Sequence, residues 1–310
     1  MKSIIKGGTL VYSGGVKQED MLICDGRIEW IKETIHPTGE EQIIDATSYY
    51  VLPGFIASED SLMDSAYEHG VTTFIRSSEG IVGEEGHQAM SDIYDYVYRV
   101  SIKKWNKNIL QDLYLSQVKV IELDSALLHQ TNWEEWQPRL KRYGIVLEVV
   151  EEDYPLLKER DIPLIVSFNK GKRMSGTRTV TRVMREQVSK WEKTVGKTDP
   201  FVLSGFWTDV VEYPLPRLVE NEVVPFLMRL AKTRSSIPAK VFGIYPRKGS
   251  LCMGADADFL FVSKETMIKG NETNFKPEQT WIKGVCCVKN ENTKGMGRQL
   301  PCHMTYAFAF

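Results

Sequence analysis

The stretch Val51-Leu52-Pro53-Gly54-Phe55-Ile56-Ala57-Ser58-Glu59-Asp60-Ser61-Leu62 divides this chain into two kinds of sequence. Upstream, Ile4-Ile5, Thr9-Leu10-Val11-Tyr12, Met21-Leu22-Ile23-Cys24 and Arg27-Ile28-Glu29-Trp30-Ile31 are separated by Gly7-Gly8, Gly14-Gly15 and Asp25-Gly26. Asp-Gly between two apolar runs is a strong hairpin signal. Together with Ile43-Ile44-Asp45 and Tyr49-Tyr50-Val51-Leu52, these runs predict a small antiparallel sheet. Downstream, the runs Val71–Ile75, Val118–Ile121, Gly144–Val150, Pro163–Val166 and Phe201–Leu203 alternate with amphipathic stretches at 85–98, 131–143, 153–160, 177–195 and 217–234. That alternation predicts parallel βαβ units. Eight such units usually need ~200 residues or more in a barrel. Residues 52–236 provide somewhat fewer, so a barrel here should be truncated or distorted.

The tail returns to strands. Residues 238–251 lead to Met253–Val262, and Thr280–Val288 forms a further hairpin candidate. Two β-rich ends around one βα-rich centre suggest that the termini meet in one module. The expected division is therefore residues 1–51 with 237–310 as one composite unit, and 52–236 as the other.

Composition narrows the function class without naming it. The chain has 310 residues, 42% hydrophobic and 26% charged, with a formal net charge of -2. Nothing in that balance asks for nucleic acid or an anionic membrane as partner, and no apolar run approaches the ~20 residues of a membrane span. The N-terminus lacks the apolar core of a signal peptide. Five cysteines without C-x-x-C spacing suggest reduced thiols in a cytoplasmic protein. Cys286-Cys287, inside an apolar run, reads as a pair of buried small hydrophobes. Residues 170–197 are basic, with Lys170, Arg173, Arg178, Arg182, Arg185 and Lys190 among them, and read as a solvated helix face or an anion site. Gly-rich phosphate loops and aromatic–basic nucleic-acid modules are absent.

The opening stretch resembles the first barrel strand of the amidohydrolase superfamily, whose cyclic-amidase branch reads L-P-G-x-I-D-x-H-x-H-L. Leu52, Pro53, Gly54, Ile56 and Leu62 match that pattern. Two further places carry the likeness at the N-terminal end. Ile5-Lys6-Gly7-Gly8-Thr9-Leu10-Val11 resembles I-K-N-G-T-I-V, and Ile43-Ile44-Asp45-Ala46-Thr47 resembles V-I-D-A-x-G. The tail is closer still. Pro238-Ala239-Lys240-Val241-Phe242-Gly243-Ile244-Tyr245-Pro246-Arg247-Lys248-Gly249, followed by Gly254-Ala255-Asp256-Ala257-Asp258, resembles N-P-A-K-I-F-G-L-Y-P-R-K-G with G-A-D-A-D. The resemblance implies an α/β fold, a (β/α)8 TIM-type barrel beside a small β-sandwich built from both termini.

In that family one or two divalent ions activate water for attack on a cyclic amide. The ligand slots of this chain hold other residues. The two histidine positions of the first strand are Glu59 and Ser61, with Ala57 at the aspartate position. Lys119, in Val118-Lys119-Val120-Ile121, aligns with the family's lysine and is expected to reach the barrel mouth or pair with an acid such as Glu148. Val150 takes the next histidine slot. The last catalytic aspartate should fall near Val202–Phe206, leaving Asp209 out of register. Glu and Ser do not replace imidazoles at a zinc site. The resemblance therefore implies a degenerate site at Glu59, Ser61, Lys119 and Val150 that binds no metal or cofactor. Zn or Mn would enter only under the alternative, an active hydrolase with a non-standard site. It further implies a homo-oligomer, dimer or tetramer, with another protein subunit or a small cyclic amide or ureide as further partners.

Overall fold

The structure, a computed structural model, describes residues 2–59, 63–79, 93–168, 179–183, 187–188, 206–269, 273–287 and 298–302. Five strands open the chain: β1 (Lys2–Tyr12), β2 (Gly15–Cys24), β3 (Arg27–Lys32), β4 (Gln42–Asp45) and β5 (Tyr49–Pro53). β1 and β2 pair antiparallel across the Ser13–Gly14 turn, and β2 and β3 across Asp25-Gly26, as the turn residues predict. Eight strands follow: β6 (Phe55–Ser58), β7 (Val71–Glu79), β8 (Asp95–Ile102), β9 (Val120–Leu123), β10 (Val146–Val150), β11 (Leu164–Phe168), β12 (Thr179–Val183) and β13 (Phe206–Trp207). The last three, β14 (Phe259–Ser263), β15 (Gln279–Ile282) and β16 (Val285–Cys287), return to the first sheet, where β14 pairs antiparallel with β5.

Strands β6 to β13 are hydrogen-bonded in sequence order and every pairing is parallel. The two edges of this curled sheet approach each other. The Ser58 amide donates to the Asp209 carbonyl (2.8 Å), which links β6 to the residue two beyond β13. All eight strands of a TIM-type barrel are thus present, and some of the described connections are short. The 3₁₀ segment Met63–His69 leads into β7, and the helix between β10 and β11 is Tyr154–Leu157 alone. A fuller layer survives over β8 to β10, where Leu110, Leu113 and Leu140 of the helices Ile109–Leu115 and Trp133–Tyr143 are buried against the sheet.

The matched motifs form the joints between the two sheets. Gly54 sits where β5 turns into β6, and a Cβ there would come within 2.3 Å of the Thr72 hydroxyl. Gly249 has φ +73°, and a Cβ would lie 2.4 Å from the Ser235 carbonyl, so only glycine fits both ways. Lys248, buried at the same corner, bridges Asp258 (2.5 Å), Asp95 (2.8 Å) and Asp256 (3.1 Å). Arg247 pairs with Asp256 (3.1 Å) and Lys283 with Asp95 (2.7 Å). Asp256 and Asp258 belong to the tail motif, Asp95 opens barrel strand β8, and Lys283 follows β15. One ionic cluster therefore ties barrel to sandwich. Burial pushes the Asp258 carboxyl up, and the Lys248 ammonium beside it opposes that shift. The side chains of Ile237, Ala239, Val241, Phe242 and Ile244 pack with Trp207 and the barrel strands.

Candidate functional site

The site is set by which side chains alternate into the barrel. Side chains that bond across a skipped strand must face the interior, and three do so. Arg99 of β8 reaches Glu148 of β10 (3.2 Å), and Arg182 of β12 reaches the same carboxylate (2.5 Å). Since strand neighbours in register share a face, the interior also receives Ser77 opposite Arg99, Ser101 and Glu122 in line with Glu148, and Ser167 beside Arg182.

Glu148 accepts from Ser167 (2.8 Å) as well as from both guanidinium groups. Arg182 goes on to Asp209, through Nε at 3.1 Å and Nη2 at 2.7 Å. The Asp209 carboxylate also accepts the Ser58 hydroxyl, alongside the backbone bond that closes the barrel. Arg99 donates a further bond to Ser77 (2.9 Å), and Ser101 donates to Glu122 (3.2 Å). The chain Ser77–Arg99–Glu148–Arg182–Asp209–Ser58 crosses the barrel from β7 to β6, and Glu148 and Asp209 are almost wholly buried.

Burial alone would raise both carboxyl groups. For Glu148 the charges of Arg182 and Arg99, with the Ser167 hydroxyl, outweigh it and hold the group below its ordinary value. For Asp209 the Arg182 guanidinium and Ser58 do the same. Reciprocally, the two carboxylates raise Arg182 against its own desolvation. Both acids are therefore ionised throughout the neutral range and offer no proton for general acid catalysis there.

The residues aligned with the family's ligand slots lie elsewhere. Glu59 turns to Arg76 (2.5 Å), which alternates with the inward Ser77 and so faces out of the barrel; Arg76 also lies over the Tyr96 ring. A bulge between Phe55 and Ile56 accompanies this parity, leaving Ser58 inside. Lys119 is fully buried at the foot of β9, on the face opposite to Glu122 and Glu148, and is electrostatically coupled to Cys302. The expectation that it reaches the mouth or pairs with Glu148 is corrected: Glu148 takes its bonds from Arg99, Arg182 and Ser167. Desolvation brings the Lys119 ammonium down to about 8, and the Cys302 thiol is pushed up to about 12, chiefly by burial. Val150 shares the interior face with Glu148 but sits exposed at the rim. Ser61 lies outside the described residues, as does most of the basic stretch 170–197; Arg182 is the one cation of that stretch that is described.

Asp209 needs a second correction. The eighth strand, described over 206–207, ends at Trp207, so the carboxylate that the alignment set out of register lies two residues beyond its C-terminal end. Arg99, Glu148 and Arg182 each leave a trace in the sequence, a charge flanked by strand-forming residues in Tyr98-Arg99-Val100, Leu147-Glu148-Val149 and Thr181-Arg182-Val183, but their inward orientation comes from the structure.

These residues do not fit a divalent metal centre. Glu148 and Asp209 share their oxygens with guanidinium groups, Glu122 accepts from Ser101, and the other described interior donors are serine hydroxyls, weak ligands for zinc. Among the described residues no three or more His, Cys, Asp or Glu side chains gather to hold an ion.

Comparison with known proteins agrees with the fold. Residues 219–287 match the model of the Amidohydrolase family. A 56-residue segment is 41% identical to dihydropyrimidinase 2 of Caenorhabditis elegans, covering 18% of this chain and 11% of that protein. Another of 69 residues is 38% identical to L-hydantoinase of Paenarthrobacter aurescens, covering 21% and 15%. The matched segments thus span well under a fifth of these curated relatives. Dihydropyrimidinase from Brevibacillus agri superposes with a TM-score of 0.69 at 15% identity, over 100% of both chains. The N-acyl-D-glutamate deacylase of Bordetella bronchiseptica does so at 0.65 and 14%, over 96% and 99%.

An eight-stranded parallel barrel joined to a sheet from both termini, with the matched segment 219–287 at that joint, is the fold this chain shares with amidohydrolases of known structure. The segments similar to dihydropyrimidinases and hydantoinases support the cyclic amidohydrolase branch.

Proposed function

We propose that this chain is a dihydropyrimidinase-like protein without metal-dependent hydrolase activity, acting as a scaffold or binding module. The observation that carries this reading is the Glu148–Arg182–Asp209 bridge. A guanidinium occupies the interior between the two carboxylates that a divalent ion would need, and the acids it pairs cannot serve as ligand and proton carrier at once. The five cysteines are all free thiols, which suits a cytoplasmic protein. No described helix is long and apolar enough to cross a membrane. By analogy with the branch, the working form is a homo-oligomer, and a cyclic amide, a ureide or another subunit is its partner.

The test is turnover of dihydrouracil, hydantoin, allantoin and dihydroorotate by the purified chain with and without added Zn²⁺ or Mn²⁺. The reading expects no hydrolysis in any combination, and ligand-induced thermal shifts with the same compounds then search for binding. Metal-dependent turnover that is lost in Asp209→Asn would establish the active hydrolase instead.

A further inference from the structure

The interior carboxylates pose a charge problem that the barrel solves in an unusual way. Two carboxylates buried to this degree are costly unless paired. Arg182 serves both, with three nitrogen–oxygen contacts of 2.5, 2.7 and 3.1 Å. Arg99 contributes through longer contacts to the two Glu148 oxygens, 3.2 and 3.4 Å. Arg182 is itself buried, with the Trp207 ring 5.7 Å away. Through Asp209 and Ser58 the same guanidinium also links the twelfth strand to the closure of the barrel.

We propose that Arg182 is the built-in cation of this barrel, and that removing its guanidinium converts the interior into a binding site for a small free cation. This rests on the reading that the unmutated interior holds no metal. Without Arg182, Glu148 and Asp209, with Glu122 beside Glu148, keep Arg99 as the remaining described positive partner, a local excess of two negative charges. The vacated space has the shape of a guanidinium ion. It is lined by the two carboxylates and by the hydroxyls of Ser58 and Ser167, an oxygen-only set that suits Mn²⁺ or Mg²⁺ better than Zn²⁺.

The experiment compares thermal unfolding of the unmutated chain, Arg182→Ala, and Arg182→Ala combined with Glu148→Gln and Asp209→Asn. Each is titrated with low-millimolar guanidinium chloride and with MnCl₂, against NaCl at equal ionic strength. Arg182→Ala should show a saturable rise in Tm of about 2 °C or more with either cation. The unmutated chain and the triple variant should show none. Should Arg182→Ala not fold, Arg182→Ser, a small side chain that leaves the space open, carries the same prediction. Equal responses in the single and triple variants, or no response in either Arg182 variant, would overturn the proposal alone. A saturable Mn²⁺ or Zn²⁺ response in the unmutated chain would overturn the metal-free reading beneath it.

Discussion

At the scale of single residues, charge pairing dominates. Glu148→Gln leaves Arg99 and Arg182 short of a buried counter-charge and should destabilise the chain by about 3–5 kcal/mol, measured by urea unfolding at pH 7. The pH dependence has a definite sign. Glu148 and Asp209 have folded values below their ordinary 4.5 and 3.8, so their contribution is complete above those values and is lost as pH falls through the folded ones. The variant should therefore show a shallower loss of stability in acid; an unchanged slope would count against the pairing. Lys119 behaves oppositely. Its folded value of about 8 lies under the ordinary 10.5. The unfolded chain binds more protons between the two, so stability rises with pH across that window and the full penalty applies below it. Lys119→Met should raise stability at pH 7 by roughly 2–3 kcal/mol and flatten the profile between pH 8 and 10.5. Denaturant titrations at both ends of the window check it.

At the scale of elements, the residues shared with the cyclic amidohydrolases serve geometry. Gly249→Ala would force a left-handed φ and a 2.4 Å approach to the Ser235 carbonyl. A loss of about 2 kcal/mol or more is expected, and near-neutral behaviour in thermal unfolding would show that the corner can relax. Sequence and structure agree where the signal is local. Asp25-Gly26 makes its hairpin, and the runs at 71–75, 118–121, 144–150 and 163–166 become parallel strands, whereas β8 begins within 85–98 and β12 falls within 177–195, stretches that read as helical. What the sequence could not convey is which residues face inward, because inward orientation depends on strand parity and one bulge reverses it. The bulge between Phe55 and Ile56 goes with Ser58 facing in and Glu59 facing out. The run Phe201–Leu203, read as a strand in the sequence, lies outside the described residues, and Asp209 follows the described strand Phe206–Trp207 by two residues. Arg182 was hidden within a basic stretch whose neighbours drew it toward a surface reading.

At the scale of the whole molecule, two ionic assemblies divide the work. Lys248 with Asp95, Asp256 and Asp258 fastens the barrel to the terminal sheet, and it is built largely from the motif most like the hydantoinases. Arg182 with Glu148 and Asp209 fills the barrel interior and joins its edges. The first keeps the superfamily's architecture, with a TM-score of 0.69 to a dihydropyrimidinase. The second, in our account, replaces a metal centre by an internal salt bridge. The most direct test of that claim is metal content per chain, determined by plasma mass spectrometry after incubation with excess Zn²⁺ and Mn²⁺ and removal of unbound ion. The account predicts far less than one equivalent of either metal. One tightly held equivalent or more, lost when Asp209 is changed to Asn, would contradict it.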